Sequence, residues 1–149
     1  MILHLQSSSA PDRFSRPPML LCVDDSKLGL LVRAHVLSRH GYDVIAADNA
    51  KEALSALWEQ QIDAIITDYE MPDMDGGQFA AHVKSGSRSC PILLHSGCAD
   101  IPVSARRYMD GVASKGQPVA HFLAEIDSLV ARAFAVSIGR NENRSQAAA

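Results

Sequence analysis

A single parallel α/β sheet is the architecture this chain predicts, on three observations. Five short apolar runs alternate with five helix-compatible segments between Met19 and Val136. Alternation at that spacing implies a parallel sheet with helices on both faces and right-handed crossovers. The runs are apolar without interruption, such as Ala64-Ile65-Ile66-Thr67, as in strands buried on both faces. Finally, polar residues recur where the runs stop: Asp24-Asp25, Asp68, Ser96 and Lys115.

Taken in order, residues 1–18 read as a flexible N-terminal segment, because Gln6 to Pro18 is rich in Ser and Pro without periodicity. Met19 to Val23 is the first strand, and Ser26 is placed to cap a helix over Lys27 to Arg39. Leu28, Leu31, Val32, His35 and Val36 share one face of that helix, and Gly41 ends it. Tyr42 to Ala46 is the second strand. Asn49, with Glu52 three residues on, forms a capping box ahead of a face made by Ala50, Ala53, Leu54, Leu57 and Trp58. The third strand, Ala64 to Thr67, runs into Asp68 and the turn Tyr69-Glu70-Met71-Pro72. A helix over Gln78 to Lys84 stops near Gly86. Cys90 to Ser96 is the fourth strand, with Pro91 at its entry, where a ladder bond is least missed. Pro102 opens a helix to about Met109, and Gly111 to Ser114 is the fifth strand. Val119, Phe122, Leu123, Ile126, Leu129, Val130 and Ala133 repeat at helical steps in the last helix. The folded domain is therefore 19–136, with 137–149 a disordered tail.

Composition narrows the function classes. The 149 residues are 47% apolar and 21% charged, which suits one globular domain. A net charge of −3 argues against a general nucleic-acid surface. No apolar run approaches the roughly 20 residues that cross a bilayer, and the first residues lack the basic start of a secretory signal. Cys22, Cys90 and Cys98 are odd in number and lack metal-ligand spacing, which fits free thiols in the cytoplasm. Neither G-x-G-x-x-G nor G-x-x-x-x-G-K-[ST] occurs, so dinucleotide and P-loop readings lack their fingerprints.

In a parallel sheet the ends of the first, third, fourth and fifth strands lie at one edge, where open α/β sheets carry their working groups. Asp24, Asp25 and Asp68 converging there would repel one another unless a hard cation sat among them, and few carboxylates plus carbonyls and waters suit Mg²⁺. Lys115 and the Ser96 hydroxyl could bind phosphoryl oxygens, with Asp68 as the attacking carboxylate. Singly, each has an ordinary structural role as helix cap, turn former or surface cation. Jointly, at matching strand ends, they form one constellation.

VDDS at the first strand end, DYEMPDMDG around Asp68, HSG around Ser96 and SKGQP around Lys115 resemble the receiver domain of two-component response regulators, over about Met19 to Val136. The resemblance implies a flavodoxin-like (βα)5 fold with strand order 2-1-3-4-5. It implies phosphorylation on Asp68 by a histidine kinase or histidine phosphotransfer protein. It implies Mg²⁺ held by Asp24 (through water), Asp25, Asp68 and the Glu70 carbonyl, with Ser96 and Lys115 on the phosphoryl oxygens. A stand-alone receiver, not an enzyme in the ordinary sense, is the expectation. The alternative is a pseudo-receiver, a protein-binding module without phosphate switching, and a hydrolase with an aspartyl-phosphate intermediate ranks third. The chain departs from the family pattern in three places. Gly116 follows the lysine where the family has proline across a cis bond. Val112 stands where many receivers carry an aromatic switch, and the segment between Ser96 and Lys115 is short.

Overall fold

A computed structural model describes residues 1–7, 16–86 and 90–148. Its strands are β1 (Ile2–Leu5), β2 (Met19–Val23), β3 (Asp43–Ala47), β4 (Ala64–Thr67), β5 (Ile92–Ser96) and β6 (Gly111–Ser114). Its helices are α1 (Lys27–Arg39), α2 (Ala50–Glu59), α3 (Gly76–Ser85), α4 (Val103–Arg106) and α5 (Val119–Ala147). The sheet order is β1-β3-β2-β4-β5-β6. The last five strands of that order are parallel and reproduce 2-1-3-4-5 when counted from β2. The chain leaves β2 for β3 on one side and returns to β4 on the other, so the switch point lies between β2 and β4.

Two apolar layers sandwich the sheet. Leu20, Cys22 and Ile66 face α1 and α5, against Leu30, Leu37, Phe122 and Ile126. Leu21, Ile45 and Ile65 face α2 and α3, against Ala53, Phe79 and Val83. β2 and β4 are covered on both faces, which is why their sequences are apolar without alternation.

The sheet is mixed and six-stranded, where the sequence predicts five parallel strands. Ile2–Leu5, expected within a flexible segment, pairs antiparallel with β3. Its Leu3 and Leu5 pack on the core, while the Met1 ammonium meets Asp48 at 3.0 Å and Glu52 at 2.7 Å. A four-residue run carries too little periodicity to announce itself, but the open edge of β3 supplies a ladder for it. Residues 8–15 of the expected flexible segment lie outside the described residues. At the other end, α5 runs to Ala147, through the expected tail. Once Phe122, Ile126, Leu129 and Val130 dock the helix, each further residue adds a hydrogen bond without a new nucleation cost, and 137–147 holds no proline.

Two helix faces are also corrected. On α1 the buried residues are Leu30, Arg33, Ala34, Leu37 and Ser38, whereas Leu28, Leu31 and Val32 are exposed. Both sides of this helix carry apolar residues, so periodicity could not choose between them. Trp58, assigned to the inner face of α2, is likewise exposed. Asn49 caps α2 through the Glu52 N–H, but the Glu52 carboxylate reaches Met1 instead of closing the box. The reciprocal box belongs to α3, between Asp75 and Gln78. α4 is a single turn of four residues, in keeping with the short segment that carries it.

Candidate functional site

Register brings the acidic residues together. Val23 pairs with Thr67, so the residues that follow, Asp24 and Asp68, emerge side by side at the switch point. The Asp68 N–H donates to the Val23 carbonyl at 2.9 Å, and the Asp24 N–H to that of Ala47 at 3.3 Å. Asp24 is fully buried and Asp68 nearly so, whereas Asp25 is exposed and has no protein partner among the described residues. Carboxylate oxygens of Asp24, Asp25 and Asp68 lie within 4.8 Å of one another. An all-oxygen cluster of this size fits a hard divalent cation.

Lys115 closes the group from β6. Ser96 pairs with Ser114, and the Lys115 N–H donates to the Ser96 carbonyl at 3.0 Å. From there Nζ reaches Asp24 Oδ2 at 2.8 Å and Asp68 Oδ2 at 2.7 Å. The second Asp68 oxygen accepts from the Tyr69 N–H at 2.7 Å. Ser96 is buried, and its hydroxyl accepts from the Cys98 N–H. The Lys115–Gly116 peptide is trans, and the turn is held by the Gly116 N–H on Ser114 Oγ. Glycine in place of the family's proline thus still leaves Lys115 on both aspartates.

The loop after Asp68 depends on one glycine. A Cβ on Gly76 would fall 2.2 Å from the Asp68 carbonyl oxygen, closer than any side chain tolerates. The Gly76 N–H also donates to the Tyr69 carbonyl at 2.8 Å. The Glu70 side chain is exposed, and its carbonyl accepts no hydrogen bond among the described residues.

Charge in the pocket is balanced by cations. Burial pushes the Asp24 carboxyl upward, but hydrogen bonds from Lys115, Arg33 and the Ser26 N–H outweigh it and hold the group below its ordinary range. For Lys115 burial works downward, and the two aspartates reverse it, raising the ammonium. His95, next to Ser96, is lowered to about 4, chiefly by burial and then by Arg33 and Lys115. It stays neutral, stacked on Phe122 at 4.3 Å between centroids. Burial pushes the thiols of Cys22 and Cys90 up to about 12, so neither supplies a thiolate.

Asp24, Asp25, Asp68, Ser96 and Lys115 therefore lie at this one edge. Arg33 was missed. It enters from the inner face of α1 and donates to Asp24 Oδ2 at 2.8 Å. The available signal was a long cation nine residues after Asp24, in step with Leu30, Ala34 and Leu37. Val112 is about half exposed (48%), so it is a surface residue of β6.

Comparison with known proteins identifies the class. Residues 20–115 match the response regulator receiver domain, and the chain belongs to that family, the receivers of two-component phosphorelays. It is 31% identical over 110 residues to the transcriptional regulatory protein GlrR of Escherichia coli strain K12, covering 74% of this chain and 23% of that protein. It is 35% identical over 97 residues to the two-component response regulator ORR11 of Oryza sativa subsp. indica, covering 63% of this chain and 65% of that one. Among solved structures, the response regulator TrrA of Thermotoga maritima, in complex with Mg²⁺–BeF, superposes with a TM-score of 0.69 at 22% identity, covering 75% of this chain and 98% of that one. Receivers are phospho-accepting signalling domains that work with histidine kinases or phosphotransfer proteins and bind Mg²⁺ at an acidic pocket. No described helix is long and apolar enough to cross a membrane.

Proposed function

We propose that this receiver accepts a phosphoryl group on Asp68 in a Mg²⁺-dependent reaction and uses the modified state to change its protein contacts. The donor is a phosphohistidine on a cytoplasmic histidine kinase or phosphotransfer protein. The observation that carries the reading is Lys115 Nζ held between Asp24 and Asp68, beside Ser96 and an exposed Asp25. Asp25, Asp68 and the Glu70 carbonyl would hold the metal, with Asp24 behind a water. When bound, the ion offsets negative charge on the phosphoryl oxygens.

The chain's own residues do the rest by position and charge, as phosphoryl transfer requires. An Asp68 oxygen attacks phosphorus in line; the O–P bond forms as the N–P bond to the donor imidazole breaks. The Tyr69 N–H keeps the carboxylate oriented during the approach. Lys115 follows the charge from the carboxylate to a phosphoryl oxygen. The Ser96 hydroxyl turns from the Cys98 N–H to a second one, drawing on the loop that begins at Gly97.

Incubation with a small-molecule phosphodonor and Mg²⁺, followed by intact mass, tests the assignment. One phosphoryl group is expected on the wild type and none on Asp68→Asn or in EDTA. A phosphorylated Asp68→Asn protein, or equal labelling in EDTA, overturns it. An unlabelled wild type marks a binding module that keeps the fold without the switch.

A further inference from the structure

Among the described residues, Arg33 is the one buried cation that the phosphoryl chemistry leaves unused. Its side chain is 6% exposed, and its only described partner is Asp24 Oδ2, an oxygen also bonded by Lys115. The Arg33 Nε and Nη1 atoms are buried without a hydrogen-bond partner among the described residues. A guanidinium so placed is a poor stabiliser, since burial of the charge and two unused donors offset most of what one ion pair contributes. An apolar side chain in step with Leu30, Ala34 and Leu37 would pack the same space at lower cost. The arginine is explained by what it does for the carboxylate.

Resting on the reading of Asp24, Asp25 and Asp68 as a magnesium site, we propose that Arg33 is a positioning residue, a resident counter-cation of Asp24 that keeps the pocket formed without metal and lowers its affinity for divalent cations. Three carboxylates against Lys115 alone leave two net negative charges; Arg33 reduces them to one. A divalent ion arriving at Asp25 and Asp68 therefore meets a weaker attraction. In exchange, Asp24 stays fixed, its Oδ1 accepting from the Ser26 N–H and its Oδ2 from Arg33. Lys115 can then move to a phosphoryl oxygen without leaving a fully buried carboxylate unpaired, which would be costly.

Calorimetric titration of the purified chain with MgCl₂ tests this, comparing wild type with Arg33→Gln, Arg33→Met and Arg33→Lys. Arg33→Gln and Arg33→Met should bind Mg²⁺ more tightly, on the order of tenfold, the scale of one partly screened unit charge at close range. Arg33→Lys should stay near wild type. Damage to packing would loosen the site instead, so the sign separates the two roles; if one neutral variant fails to fold, the other carries the same prediction. Neutral variants that bind Mg²⁺ with unchanged or weaker affinity overturn the proposal while leaving the magnesium site intact. A wild type that binds no Mg²⁺ overturns both.

Discussion

The two sides of the switch point are built differently. On the β2–β4 side, every residue from Leu20 to Asp24 and from Ala64 to Asp68 is buried, and helices cover both faces. On the β5–β6 side, β5 still sends Ile92 and Leu93 into the two core layers, but α4 is one turn, Val103 is 83% exposed and Val112 48%, and Leu94, Ile101 and Ala105 form a small satellite cluster of their own. The polar groups of the site follow the same division. Asp24 and Asp68 stand on the more rigid β2–β4 side, Ser96 and Lys115 at the ends of β5 and β6, next to the single-turn α4. On the proposed function, an acceptor on the more rigid side, with its phosphoryl ligands next to the sparsely packed α4 segment, would let chemistry at Asp68 become displacement there, because regions of few buried contacts open at low cost.

Side-chain truncation should expose that asymmetry most strongly. Phe79 is fully buried against β2 and β4, and Phe79→Ala should cost about 3–5 kcal/mol in urea unfolding. Val112→Ala should stay within about 0.5 kcal/mol. Comparable losses at the two positions would erase the division.

A smaller effect is expected from pH. His95 in β5 is neutral in the fold with its pKa lowered to about 4, whereas the unfolded chain takes up the proton near 6.5. Between those values the unfolded state binds more protons, so stability falls as pH drops from about 6.5 to about 4. His95→Leu removes this component, and the difference between the wild-type and variant stability curves isolates it from the carboxylates. A difference that does not vary over that window would show that the imidazole titrates alike in both states.

The subtlest expected effect is dynamic. With beryllofluoride and Mg²⁺, hydrogen exchange should change most over Gly97 to Met109, where Ser96 pulls on a loop followed by a single helical turn. Val112 is short, β-branched and already half exposed, so no ring flip supplements that motion. Changes confined to the loops at Asp24, Asp25 and Asp68 would place the readout on the rigid side instead.

Local pattern carried much of this in advance. Uninterrupted apolar runs placed β2, β4 and β5, Gly41 marked the end of α1 with a φ of 105°, and the acidic, serine and lysine residues fell at one edge because parallel strands all end there. The turn after Asp68 and the helix that follows it were legible, though not that Gly76 must lie against the Asp68 carbonyl.

By itself, then, the sequence determined the alternating elements, the parallel order and the gathering of Asp24, Asp25, Asp68, Ser96 and Lys115 at one edge, since each is written in a period, a cap or a motif within one segment. The tertiary structure decided whatever needed two distant segments. β1 exists because β3 leaves an edge open, and α5 extends to Ala147 because its first turns are docked. The inner face of α1 is Leu30, Arg33 and Leu37 because the sheet meets it there, although the outer face is just as apolar in sequence. Arg33 acquires its meaning from the same cause: one of the three Lys and Arg residues of α1, it becomes part of an acidic site only because packing removes it from water and leaves Asp24 as its partner.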